Sequence, residues 1–143
     1  MKIIVDTNIV FSALLNNTGT IGKILIDFNP KFEFYSCNYM RYEIDKHWEK
    51  LKKISKLSDE KLNEAKFHLF ERIQFVNEEL IPREIFDETV NLTQDIDLDD
   101  TEFVAMTIFL KGFLWTGDRQ LYEGLISKGF ENVLNTTELS KLV

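Results

Sequence analysis

The sequence has 143 residues, a net charge of −7, an apolar fraction of 44% and a single cysteine, Cys37. Its length fits one domain spanning residues 1–143, and its apolar content, with twelve Phe, excludes a disordered chain. A lone cysteine excludes an internal disulfide, no apolar stretch reaches the ~18 residues of a membrane span, and no signal pattern opens the chain. We therefore expect a cytoplasmic domain without a membrane segment. The negative charge argues against indiscriminate nucleic-acid binding.

The first eight residues predict a buried strand that runs directly into a helix. Lys2 to Val5 form a β-branched run that ends at Asp6, and helical spacing of apolar residues begins at Ile9. A carboxylate at the end of such a strand lies at the carboxyl edge of the sheet, where open α/β folds gather their ligands. Asp6 is therefore the first candidate site residue.

Helices and strands alternate along the middle of the chain. The second helix is expected to continue through Ile21, Ile24, Leu25 and Phe28 until Pro30 stops it. A later helix is expected to carry Met40, Ile44, Trp48 and Leu51 on a single stripe. Ser58 is the expected N-cap of the next helix. The expected order is a helix from residue 20 to 28, a strand at 32–36, a helix from 38 to 51, a helix after 58, a short strand at 75–78 and a helix from 82 to 90.

The last third of the chain combines a dense acidic run with an apolar stretch from Phe103 to Leu110. Periodicity alone does not separate a buried strand from a buried helix there, but the acidic first turn and the closing Lys111-Gly112 favour a central helix. The following elements are a strand at 113–116, a helix ending at Gly129, a strand at 132–134 and a final helix capped by Thr136 or Thr137. This alternation predicts a mostly parallel sheet.

Several acids occupy positions that suit either a helix cap or a functional site. Asp118 follows a strand as Asp6 does, and both residues suit an N-cap and a site at once. In the acidic run, Asp100 is best placed to point at the sheet edge, whereas Asp97 suits a cap or an outer role. Glu43 has the weakest pattern, because a surface pairing with His47 or Lys50 is the commoner role for such a residue.

Convergence of Asp6, Glu43, Asp100 and Asp118 would have a strong electrostatic consequence. Six carboxylate pairs at ~5 Å would repel by about 3 kcal/mol each, or about 20 kcal/mol together, at an effective dielectric constant near 20. Such a site must either hold protons or bind a cation, and hard oxygen ligands without cysteine select Mg²⁺ or Mn²⁺. These ions work with phosphate oxygens, so the expected substrate is a phosphate ester or diester.

Four motifs in order along the chain resemble the PIN domain, the fold of VapC-type toxin ribonucleases. They are Val5-Asp6-Thr7-Asn8, Glu43 on the helix after the second strand, Asp100 before the apolar helix, and Thr116-Gly117-Asp118. The resemblance implies a three-layer α/β/α sandwich with a mostly parallel five-stranded sheet. It also implies an Mg²⁺- or Mn²⁺-dependent endoribonuclease acting on single-stranded or structured RNA, with a homodimer and an antitoxin protein as expected partners.

The resemblance assigns roles to individual residues. Asp6, Glu43, Asp100 and Asp118 form the acidic quartet, with Asp6, Asp100 and Asp118 as the metal ligands. Supporting residues that help to place the metal, water or phosphate are Asn8 and Thr116, with Asp97 in an outer role. The chain departs from the family pattern at Gly117, where a basic or polar residue is common. The third acid is ambiguous, since Asp97 or Asp99 could share the role of Asp100.

Two further surfaces are open to more than one interpretation. Lys46, Lys50 and Lys53 lie on the helical segment that carries Glu43, so they suit either an RNA-facing groove or an ordinary solvated face. Phe11, Leu14 and Leu15 suit a homodimer seam, a groove for an inhibitory partner's helix, or the core.

Other protein classes share parts of this pattern. Haloacid dehalogenase-like phosphatases require a second Asp two residues after the first, where this chain has Asn8. Receiver domains need an Asp closing a central strand, which the segment Phe34 to Cys37 does not supply. A PIN-like scaffold that binds RNA or protein without cutting it is the alternative from a non-enzyme class.

Overall fold

The computed structural model describes all residues from Met1 to Val143. Five parallel strands form one sheet in the order β3-β2-β1-β4-β5. The strands are β1 Lys2–Val5, β2 Glu33–Cys37, β3 Ile73–Val76, β4 Phe113–Trp115 and β5 Val133–Leu134. The helices are α1 Thr7–Leu15, α2 Thr20–Ile26, α3 Tyr39–Lys46, α4 Trp48–Ser55, α5 Asp59–Glu71, α6 Arg83–Thr93, α7 Thr101–Leu110, α8 Arg119–Ser127 and α9 Thr136–Ser140.

The central strand β1 is enclosed by helices on both faces. Ile3, Ile4 and Val5 have no exposed surface, so side chains that alternate between the two faces of the strand are all covered. This arrangement is the three-layer α/β/α sandwich expected from the sequence. No single helix is long and apolar enough to cross a membrane; α1 and α2 would meet those criteria only as a pair, bent by 106°.

The helix α7 forms the centre of one outer layer, and its prediction as a helix is confirmed. It packs on β1, β2 and β4, with Phe103, Val104 and Met106 buried against the sheet. Lys111 ends the helix in a left-handed conformation with φ of 57°. Gly112 then passes against β1 so closely that a Cβ atom would lie 2.6 Å from the Lys2 carbonyl oxygen. A larger residue at this position would push β4 away from β1.

Four local predictions are wrong in detail. The short strand expected at 75–78 is Ile73–Val76, because Asn77 caps a 3₁₀ helix that begins at Glu78. The single helix expected from residue 38 to 51 is divided at His47 into α3 and α4, although Met40, Ile44 and Leu51 are buried as expected. Phe28 is 78% exposed, because α2 ends at Ile26 before its apolar spacing reaches that position.

The N-cap of α9 is also different from the expected Thr136 or Thr137. Asn135 caps this helix through a reciprocal pair of hydrogen bonds with Glu138. The amide side chain of Asn135 therefore satisfies the first turn one residue earlier than the sequence pattern indicated.

The strand order brings the carboxyl ends of β1 and β4 together. These two strands are neighbours, with Val5 paired to Trp115, so the residues after them lie side by side at one edge of the sheet. Strand β2 flanks β1 on its other side and leads into α3. Segments that follow three adjacent strands thus meet at one place.

Candidate active site

Asp6 lies at the centre of this edge and is almost completely buried. It caps α1, where its Oδ1 atom accepts a hydrogen bond of 3.0 Å from the Ile9 amide, and its exposed fraction is 3%. Burial raises the pKa of Asp6 from 3.8 to about 6, and the charges of Asp118 and Glu43 add to this rise. The Thr116 side chain and the Ile9 amide oppose it. Ionisation of the Asp6 carboxyl group in the folded protein is therefore unfavourable unless a cation lies beside it.

Asp118 repeats the local structure of Asp6 at the end of β4. Its Oδ1 atom accepts a hydrogen bond of 3.1 Å from the Leu121 amide and so caps α8. The Asp118 amide donates to the hydroxyl of Thr116, a buried residue whose side chain also lowers the pKa of Asp6. Each of the two aspartates is an N-cap, and the capping bond engages only one carboxylate oxygen of each.

Glu43 is half-buried on α3 and is held by α1. The hydroxyl of Thr7 donates a hydrogen bond of 2.5 Å to its Oε1 atom. Burial raises the pKa of Glu43, while this hydrogen bond and the positive charges of His47 and Lys46 oppose the rise. Glu43 forms no ion pair with His47 or Lys50, so the surface pairing considered from the sequence is not present.

Asp100 approaches the same edge from a short 3₁₀ helix, Leu98–Asp100, that precedes α7. Its Oδ2 atom is buried and has no hydrogen-bond partner, and it is the one buried side-chain oxygen or nitrogen in this condition. Burial raises the pKa of Asp100 to about 7, with further contributions from the charges of Asp97, Asp6, Asp118 and Glu43. An unpartnered buried carboxylate oxygen is unfavourable without a ligand.

The remaining predicted residues lie around this group rather than in it. Asp97 is exposed, and its Oδ1 atom accepts from the Asp99 amide as the cap of the 3₁₀ helix. Asn8 is exposed and lines a groove between α1 and α4. Lys46, Lys50 and Lys53 are exposed and form no ion pair, whereas Lys52 on the same helical segment contacts Glu49 and Asp59.

Additional groups at this edge were not predicted from the sequence. Glu102 is half-buried, and its pKa is raised by burial and by the charges of Glu78, Asp99 and Glu43. Glu78 accepts a hydrogen bond of 2.8 Å from the Tyr39 amide. The acidic run contained Glu102 as an ordinary member, and Glu78 had no distinguishing pattern at all.

The chemistry of this site suits a hard divalent cation. The side chains gathered here carry carboxylates and hydroxyls, and the only thiol, Cys37, is buried with a raised pKa. The orphaned Asp100 Oδ2 atom and the raised pKa values of Asp6 and Asp100 are both conditions that a bound cation corrects. In their present positions, however, no three His, Cys, Asp or Glu side chains enclose a common point where a metal ion could be held. Ligation of one ion by three of these carboxylates would therefore require their side chains to move, whereas Mg²⁺ also binds through one or two carboxylates and several waters.

Two surface concavities border the acidic edge. A polar cleft of about 510 Å³ contains Asp118 and lies between the first residues of α8 and α9. A smaller groove of about 310 Å³ between α1 and α4 includes Phe11, Leu15 and Ile54. Leu14 is buried in the core instead of lining that groove.

Known proteins resemble this chain in both sequence and fold. The PIN domain family matches residues 4–138. The structure is similar to a chain in the crystal structure of VapBC2 from Rickettsia felis bound to a DNA fragment from their promoter, with a TM-score of 0.70 and 16% identity over 94% of this chain and 98% of that chain. No curated protein matches the sequence. Because the family match covers nearly the whole chain, the protein belongs to the PIN domain family.

Proposed function

We propose that this PIN domain is an endoribonuclease that depends on Mg²⁺ or Mn²⁺ and hydrolyses RNA phosphodiester bonds. One observation carries the proposal: the Asp100 Oδ2 atom is buried without a partner beside Asp6, Asp118 and Glu43, whose charges raise the pKa of Asp100. Four carboxylates assembled in this way favour a cation and a phosphate substrate. Membership of a family whose members are generally nucleases supports the same conclusion.

We assign the metal-holding role to Asp6, Asp100 and Asp118. Held by these carboxylates, Mg²⁺ or Mn²⁺ would lower the pKa of a water molecule and would neutralise charge on the scissile phosphate. Glu43, oriented by the Thr7 hydroxyl, positions the attacking water, so that the 2′-hydroxyl of the RNA is not needed as nucleophile. Thr116 holds the Asp118 backbone and lowers the pKa of Asp6. Neither His47 nor His68 is required.

We further propose that the protein is the toxin of a toxin–antitoxin pair. A solved structure with a similar fold is that of VapBC2 bound to a DNA fragment from their promoter, which supports an antitoxin as partner. On this chain the groove between α1 and α4 has the apolar residues Phe11, Leu15 and Ile54, of which Leu15 and Ile54 are 39% and 53% exposed. Such a surface suits the apolar face of a partner's helix. We also propose that the protein forms a homodimer and is located in the cytoplasm.

A silent PIN scaffold that binds RNA or protein is the alternative. Retention of all four acids, with three of them placed by specific hydrogen bonds, favours the enzyme.

The test is cleavage of single-stranded RNA by the wild-type chain and Asp6→Asn, each with Mg²⁺, Mn²⁺ or EDTA. We expect cutting that requires the metal and is lost in the variant, because asparagine keeps the cap but removes the charge. If folded wild type binds Mn²⁺ and leaves a broad panel of RNAs intact, the scaffold is the better description.

A further inference from the structure

The polar cleft beside Asp118 is continuous with the acidic edge. Thr116, Gly117 and Asp118 line it and also form the segment that carries the last acid of the site. Its volume of about 510 Å³ lies within the range of sites that bind small molecules. We infer that this cleft receives the nucleoside next to the scissile phosphate of single-stranded RNA and that Gly117 keeps it open, an inference that rests on the proposed nuclease function.

Hydrogen bonds within the chain hold the wall of the cleft in place. The indole Nε1 of Trp115 donates to the Thr136 hydroxyl at 3.0 Å. The Glu138 amide donates to Asn135 Oδ1 at 2.8 Å, and the Asn135 amide donates to Glu138 Oε1 at 3.1 Å. A wall fixed in this way loses little conformational freedom when a ligand binds.

The charge of the cleft fits an uncharged group better than a phosphate. Arg119 is its only cation, and the guanidinium Nε atom already donates to Glu123 at 2.9 Å. Asp118 adds a second carboxylate, so the cleft has no positive charge left over for an anion. Its other polar groups, including Asn135 and Thr137, are amides and hydroxyls that suit the edge of a base and the hydroxyls of a ribose.

The other sides of the acidic edge are less suitable for a nucleoside. Toward α3 and α7 the neighbouring groups are Glu78, Asp99 and Glu102, which add negative charge. The groove between α1 and α4, lined by Asn8, Phe11, Leu15, His47, Lys50, Leu51 and Ile54, is the surface that we assign to the partner's helix. The cleft between α8 and α9 combines amide and hydroxyl groups with one acid of the site, Asp118, on its wall.

Gly117 provides a direct way to close the cleft. A Cβ atom at this position would meet only the Ile9 Cδ1 atom, at the ordinary contact distance of 3.7 Å, so a side chain is compatible with the fold. Beyond that contact the space is open, and Gly117 lines the cleft. Gly117→Val should therefore fold normally and fill the space that the nucleoside needs.

The first measurement is binding of free nucleosides to ¹⁵N-labelled protein, followed by amide chemical shifts, with adenosine, guanosine, cytidine and uridine as probes. We expect saturable shifts at residues 116–119 and 135–137, and an affinity about threefold to tenfold lower in Gly117→Val, the effect of losing one or two hydrogen bonds. The control is Asn91→Val, which places a valine side chain on the exposed face of α6, away from the cleft. Thr137→Phe fills the cleft from its other wall and serves if Gly117→Val does not fold.

The second measurement is the KM for single-stranded RNA in the same variants, with kcat recorded separately. A KM raised about threefold to tenfold in Gly117→Val and Thr137→Phe, but not in Asn91→Val, supports the inference. The inference is overturned if nucleosides cause no amide shifts in the cleft, or if these shifts are the same in wild type, Gly117→Val and Thr137→Phe. This holds even if the protein cuts RNA. Localised nucleoside shifts in a protein that cuts no RNA would instead overturn the proposed nuclease and leave the cleft as a nucleoside site.

Discussion

The two strand-end acids and the two helix-borne acids reach the same edge in different ways. Asp6 and Asp118 follow neighbouring parallel strands and make the same capping bond, to Ile9 at 3.0 Å and to Leu121 at 3.1 Å. Glu43 depends on a hydroxyl of another helix, and Asp100 has an oxygen with no partner. The backbone therefore fixes the first pair, whereas tertiary packing places the second.

The largest expected effect is the loss of activity when either kind of acid loses its charge. Asp6→Asn, Asp118→Asn, Asp100→Asn and Glu43→Gln should each lower kcat/KM for RNA by more than about 100-fold, since even an outer-shell partner of a metal ligand contributes about 10- to 100-fold. Asp87→Asn, an exposed change on α6, is the control and should stay within about twofold.

Activity that is retained in Asp6→Asn or Asp118→Asn but lost in Glu43→Gln or Asp100→Asn would contradict the conclusion that both pairs of acids serve one site. The site would then be organised around α3 and α7, and the cap would be the only role of that aspartate.

Stability in EDTA should depend on pH through Asp6. Its pKa is higher in the folded chain, at about 6, than its ordinary value of 3.8. The folded state therefore carries no penalty from this group below pH 3.8; the penalty grows as the pH rises from 3.8 to about 6 and is constant above that. This difference between the folded and ordinary pKa values corresponds to about 3 kcal/mol at neutral pH.

Asp6→Asn removes that ionisation and keeps the cap, so the variant should become more stable than wild type as the pH rises from about 4 to about 7. Denaturant unfolding at several pH values measures the difference. A difference that does not change with pH would show that burial of Asp6 does not disfavour its charge.

The sequence was sufficient for the strand-end acids because their positions depend on local structure. A β-branched strand followed at once by Asp and a helix places Asp6 with little help from the rest of the chain, and the apolar strand before Asp118 acts in the same way. Similar reasoning placed Asp100 at the sheet edge and gave Asp97 a capping position, and Asp97 does cap the short 3₁₀ helix while Asp100 Oδ2 is buried. Whether Asp97 or Asp99 shares the role of Asp100 stays a prediction.

Features that depend on contacts distant in sequence could not be predicted in this way. The Thr7–Glu43 hydrogen bond joins residues 36 positions apart, and Glu78 meets Tyr39 from 39 positions away. The interruption between α3 and α4 at His47 could not be predicted either. No glycine or proline marks it, and the apolar stripe continues from α3 into α4.

A smaller effect should separate the placement of Glu43 from its charge. Thr7→Val keeps the shape of the side chain and removes the hydroxyl that orients Glu43, so kcat should fall about tenfold, as expected for a second-sphere contact. The free energy of unfolding should change by no more than about 1.5 kcal/mol. Thr20→Val, at the first residue of α2, is the matched control. An unchanged kcat would mean that Glu43 needs no support from α1.

The smallest effect concerns the exposed lysines. Lys46, Lys50 and Lys53 form no ion pair, so they are available to neutralise RNA phosphates. A plot of log KM against log salt concentration should become less steep when all three lysines are replaced by Ala. Each phosphate of a single strand that is no longer neutralised lowers the slope by ~0.7, so the total decrease should be up to about two. Lys52→Ala is the control, because Lys52 already pairs with Glu49 and Asp59. An unchanged slope in the triple variant would assign these lysines to a solvated face.

The central claim is that acids from four separate segments form one cation site. It is tested most directly by adding Mn²⁺ to ¹⁵N-labelled protein and following the paramagnetic broadening of amide signals, a measurement that needs no substrate. We expect saturable broadening that begins at Asp6, Glu43, Asp100 and Asp118 together and is weakened in Asp6→Asn. Broadening centred on the exposed Asp97 and Asp99, or spread over the acidic surface and unchanged by Asp6→Asn, would contradict the claim.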